Sequence, residues 1–159
     1  MSLPFGAGDI VAVGTLIWKT YAAYADAPEQ FQNFAREILS LHVVVRKVED
    51  HMGISGSGRA TQLPGPGGVA NLSTKDRNDL KILYDDLRTI MAELDDLLKK
   101  YQNLTSNRRN PIDRFRWGQE DLVGLRDKLR SSITLLNIYH GSLAKSVHPP
   151  LTYIDVGST

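Results

Sequence analysis

Leu80, Leu83, Leu87, Ile90, Leu94, Leu97, Tyr101 and Leu104 step along the chain by three and four residues in strict alternation. A helix returns such a series to one side, whereas a strand, with its period of two, scatters it over both faces. The run dictates a helix over about 74–104, and a helix apolar on one side is not stable alone in water. Other helices must cover it. Phe31, Phe34, Ile38, Leu41, Val45, Val48 and Met52 predict one over about 28–52, opened by Pro28 and stopped by Gly53. Phe115, Leu122, Leu125, Leu129, Leu136, Tyr139 and Leu143 predict another from Asn110-Pro111 to about Lys145. Gly118 and Ser132 interrupt that seam and leave gaps where a neighbour approaches closely. Ser73 followed by Asp76 resembles a capping box at the start of the third helix.

The remaining helix, about 10–25, follows Asp9 as its expected N-cap. It is apolar almost all round, through Ile10, Val11, Val13, Leu16, Ile17, Trp18, Tyr21 and Tyr24. A helix of that kind is either central in a bundle or able to enter a membrane. The expected fold is therefore all-α: an antiparallel bundle of four main helices, with helix 1 central and apolar. Residues 53–72 hold six Gly and two Pro and predict a long flexible loop between helices 2 and 3. Residues 146–159 are expected to be a linker or tail, which makes 6–145 the domain and the chain a fragment of a longer protein.

Composition narrows the chemistry. The chain of 159 residues contains no cysteine, which excludes a disulfide scaffold, a thiolate metal site and a cysteine nucleophile. The net charge of +1 gives no overall attraction to nucleic acid. No window of 18 uncharged apolar residues predicts a membrane span. Ala23-Tyr24-Ala25 resembles a leader-cleavage site, but no Lys or Arg precedes the apolar run, so no cleaved leader is expected. His42, His51, His140 and His148 show no ligand spacing, and Asp85-Asp86 and Asp95-Asp96 fit a solvated helix face. No nucleophile, base and orienting group fall into a recognisable arrangement, so the sequence points away from an enzyme and implies no cofactor and no metal.

Two features carry function instead. Arg108, Arg109, Arg114 and Arg116 cluster beside Phe115 and Trp117, interrupted only by Asp113. Residues 105–145 hold eight Lys or Arg against four Asp or Glu. Such a cluster is either a solvated turn between helices that happens to be basic or a contact to an anionic lipid surface, at about 1 kcal/mol per basic residue; phosphates of a nucleic acid are the weaker reading. The second feature is helix 1. Its Ile, Val and Leu residues gain about 2–3 kcal/mol in a bilayer and Lys19 costs about 2.5–3.5 kcal/mol, so one copy does not insert but several copies, with Lys19 snorkelling or facing a pore, can.

The order of features along the chain resembles a fungal domain group. Gly8-Asp9-Ile10, Leu16, Trp18 and Tyr21 come first, followed by Ala27-Pro28, Phe31, Glu37, Ser40 and Leu41. Leu94, Leu97, Leu98 and Tyr101 continue the series, as do Trp117-Gly118, Glu120-Asp121, Leu125-Arg126 and Leu129. Over residues 6–145 this is similar to the HeLo-like N-terminal domains of fungal NLR-type (STAND) proteins. The resemblance implies a non-enzymatic signalling bundle placed before nucleotide-binding, repeat or other regulatory domains. Relatives in the wider HeLo group execute programmed cell death in heterokaryon incompatibility, and are likened to bundles of animal necroptosis and plant innate immunity. It further implies a cytoplasmic protein that forms homo-oligomers and is recruited to the plasma membrane. Ile10, Val13, Gly14, Ile17, Trp18 and Tyr21 are then the membrane-inserting residues. Arg108, Arg109, Arg114, Arg116 and Trp117 are the candidate contacts to anionic membrane lipids, read from composition rather than from the resemblance. The alternative is an interaction or dimerisation module without membrane activity.

Overall fold

The computed structural model describes the backbone of residues 5–27, 29–54, 72–106 and 111–147, and within these the side chains outside Gln30, 103–106, 111–121 and 146–147. Its elements are α1 (Ala7–Ala25), α2 (Gln32–His51), α3 (Thr74–Ser106) and α4 (Pro111–Val147), with a 3₁₀ turn at Glu29–Phe31 leading into α2. No strand occurs among the described residues, and the chain is an all-α helical bundle.

Local chemistry sets the helix ends. Asp9 is not the N-cap of α1 but its third residue, because the helix begins earlier than expected. From there its carboxylate accepts the Gly6 N–H at 3.0 Å, which satisfies one orphan donor and places a negative charge at the positive end of the helix. Ser73 Oγ accepts the Asp76 N–H at 3.1 Å and caps α3 as the sequence predicts. Gly53 ends α2 with φ of +67°. Its N–H reaches Asp50 O at 3.1 Å, and the Ile54 N–H reaches Glu49 O at 2.9 Å. The pair is a Schellman cap, for which glycine is the residue without steric cost.

The four helices form a ring. α1 packs on α2 and α3, and α4 packs on the same two, so α1 stands diagonally opposite α4. Consecutive helices run antiparallel, while α1 and α3 run side by side in the same direction. The contacts show this: Asp9 meets Arg88 at 3.0 Å near the start of α1, and Tyr24 meets Leu94 at 2.8 Å near its end. α2 and α4 are likewise parallel, with Glu37 beside Arg126 and, further along both helices, His51 beside His140. This order makes the step from α2 to α3 a diagonal one. Residues 55–71, where flexibility was expected, lie outside the described residues, as do 148–159 of the expected tail.

Phe34, Ile38, Leu41, Val45 and Val48 of α2 are buried, as are Phe31 in the 3₁₀ turn before it and Met52 at its C-cap. Leu80, Leu87, Ile90 and Leu94 of α3 join them, with Leu125, Leu129, Leu136 and Leu143 of α4. α1 adds Ile10, Val13, Ile17 and Tyr24. It is the most apolar helix, yet it is not the centre of the bundle. Side chains from all four helices fill the axis, and α1 occupies a corner with Val11, Leu16 and Trp18 facing outward. Ser132 is buried in the α4 seam, as its place in the sequence predicts.

Candidate functional site

α1 is fixed at both ends. At its start, the Arg88 guanidinium donates to Asp9 at 3.0 Å and to Asp85 at 3.2 Å. The Gly6 N–H and then Arg88 hold the Asp9 carboxyl below its ordinary range. Phe5 packs edge-on against Tyr84, with ring centres 5.7 Å apart. At the other end the wholly buried Tyr24 donates its hydroxyl to Leu94 O at 2.8 Å. Its ring lies 5.8 Å from Phe31 and 6.0 Å from Phe34. Burial, and next the charge of Asp95, push the Tyr24 hydroxyl far above its usual range, so it stays a donor.

The six residues expected to enter a membrane divide between two faces. Ile10, Val13, Gly14 and Ile17 are buried against the bundle, Tyr21 is half-buried, and Trp18 is 49% exposed. Lys19 faces outward as well. Of the basic cluster, Arg108 and Arg109 lie outside the described residues, and Arg114, Arg116 and Trp117 fall in the first two turns of α4 without described side chains.

Between α1 and α2 runs an open groove of about 390 Å³ that the sequence reading missed. Val11, Gly14, Thr15 and Trp18 form one wall, and His42, Arg46 and Glu49 the other. The Trp18 ring tilts over both Tyr21 and His42, at 5.2 Å between centres in each case. Burial, followed by the charge of Arg46, lowers the His42 pKa and favours the neutral imidazole. Glu49 lies beneath, buried to 2% exposure, with Oε2 accepting from Arg46 Nη1 at 2.8 Å. The sequence signal was faint. Position 49 borders the Val45–Val48–Met52 seam, and a Glu three residues after an Arg reads as a surface ion pair.

Among the described residues no group of three or more His, Asp or Glu converges on a metal position. No described helix is long and apolar enough to cross a membrane. No family model matches the chain, and no curated protein and no solved structure matches it.

Proposed function

We propose that the chain is a non-enzymatic effector domain of the HeLo-like kind, cytoplasmic at rest. Clustering of several copies releases α1 to perturb an anionic membrane, in the service of programmed cell death. The observation that carries this reading is the double character of α1. One face fills the core with Ile10, Val13, Ile17 and Tyr24, and the other still displays Val11, Leu16 and Trp18. A 19-residue helix is about 28 Å long, close to the thickness of a bilayer's hydrocarbon core. Lys19 sets the insertion energy of one copy near zero, so the reading requires oligomers. The basic residues Arg108, Arg109, Arg114 and Arg116, with Trp117, supply the attraction to anionic lipid in this scheme.

A dye-leakage assay on phosphatidylserine vesicles, with the protein fused to a forced oligomeriser, tests it. Trp18→Glu is the informative variant, because Trp18 is half-exposed and its loss leaves the core intact. Leakage by the wild-type oligomer and its loss in Trp18→Glu are expected. An oligomer that leaks nothing, or a Trp18→Glu oligomer as active as wild type, refutes the proposal. The exposed Val11, Trp18, Leu39 and Val43 favour a second reading, a dimerisation module without membrane activity. That reading gains if wild type self-associates in sedimentation and does not bind vesicles.

A further inference from the structure

Glu49 is the one charged residue buried among those described. It sits on the face of α2 that receives α1, beside the buried Val45, Val48 and Met52. Gly14 makes room for it. A Cβ built on Gly14 would overlap Glu49 Oε1, with Glu49 Cδ 3.5 Å and Val45 Cγ1 3.7 Å away. Compensation for the buried charge is thin. Oε2 is paired with Arg46, whose own side chain is 53% exposed. Across the core the Tyr84 hydroxyl is buried, has no hydrogen-bond partner among the described residues and so returns nothing to the carboxylate. Removing a carboxylate from water is costly, and a pairing with a half-exposed arginine returns little of that cost. The cost vanishes once α1 departs and water reaches Glu49.

We propose that Glu49, seated on Gly14, is a release element that makes α1 leave the bundle as a unit before the other helices unfold. The local opening stands independently; its bearing on membranes rests on the function proposed above.

Native-state hydrogen exchange on the full chain tests the opening, with no lipid present. In the wild type, amides from Ile10 to Tyr24 should exchange at least tenfold faster than those from Leu87 to Leu94, and with weaker dependence on denaturant. Glu49→Met, apolar and of similar length, should slow α1 exchange at least tenfold, and Glu49→Gln should slow it less. Gly14→Ala should speed α1 exchange when Glu49 is present but not in a Glu49→Ala background, since the clash is with that carboxylate. Equal exchange of α1 and α3 with one denaturant dependence overturns the inference. So does a Glu49→Met or Glu49→Gln protein whose α1 exchanges as fast as wild type, or a Gly14→Ala effect that ignores residue 49. Vesicle leakage is scored separately: its failure with α1 opening intact refutes the membrane function and leaves the release element standing.

Discussion

Tyr24 offers the most direct measure of how firmly the end of α1 is held. Its side chain is wholly buried, and its hydroxyl bonds Leu94 O at 2.8 Å. Tyr24→Phe keeps the ring and removes one buried hydrogen bond. The Leu94 carbonyl is not orphaned, because helix geometry still supplies it the Leu98 N–H. The expected loss is therefore about 1 kcal/mol, the ordinary net worth of such a bond. Tyr24→Ala also removes the ring that packs on Phe31 and Phe34 and leaves a cavity, for about 3–5 kcal/mol. For a domain of this size 1 kcal/mol shifts Tm by about 2–4 °C, so the two variants should melt about 3 °C and 10 °C or more below wild type. Urea unfolding gives the same quantities as midpoint shifts at constant slope. A Tyr24→Ala loss below about 1.5 kcal/mol, or equal losses in the two variants, refutes the picture of a buried clasp with separable ring and hydroxyl contributions.

Two further outcomes follow from the charged and titrating groups. Burial first, then the charges of neighbouring His51 and Lys47, lower the His140 pKa; His42 is lowered by burial and Arg46. A lowered histidine stabilises the fold above its unfolded pKa of 6.5, and that contribution fades as pH falls below it. The urea midpoint should drop between pH 7.5 and 5.5, less steeply in His140→Asn; a midpoint that rises on acidification contradicts this. Glu37 joins α2 to α4 by accepting from Arg126 Nε at 2.7 Å and Arg130 Nη2 at 2.9 Å. Both arginines are partly exposed, so Glu37→Ala should cost only about 1 kcal/mol, with most of the loss gone at high salt; a double-mutant cycle with Arg126→Ala reads the coupling.

The sequence was most legible where a helix presents one narrow stripe. In α2 every seam position chosen by spacing is buried. In α3 the buried face is wider than the stripe that spacing predicts. Tyr84, Met91 and Leu98 are buried beside the seam, while Leu83, Leu97 and Tyr101 are only half-buried. Every helix of the ring touches two others, and two partners need a wider apolar face than the seam of a paired coil; α2 likewise buries Ala35 and Val44 beside its seam. The expectation of a central α1 failed for the opposite reason. All-round apolarity predicts all-round burial, but Val11 and Trp18 face solvent. The α1–α2 groove escaped notice because its floor is a glycine and a glutamate. Spacing arguments treat both as neutral or outward-facing, and only their meeting across two helices reveals the cavity.

Whether α1 moves as one body turns on how its contacts are distributed. Polar ties lie at its two ends, Asp9 with Arg88 and Tyr24 with Leu94, and the buried Glu49 carboxylate lies between them against Gly14. Ties at both ends oppose fraying, since loosening one end leaves the other tie and most of the core face in place. Cooperative opening is then the cheapest escape. Arg88→Ala, which cuts the tie at the start of α1, separates the two possibilities. If α1 opens as a unit, the variant speeds exchange by one common factor from Ile10 through Tyr24, including amides beside the intact Tyr24 clasp. The lost partly exposed ion pair sets that factor at about two- to fivefold, equivalent to about 0.4–1 kcal/mol. If α1 frays, the effect is confined to the first turns and dies out before Ile17. A gradient along the helix therefore defeats cooperative release, and a flat profile supports it.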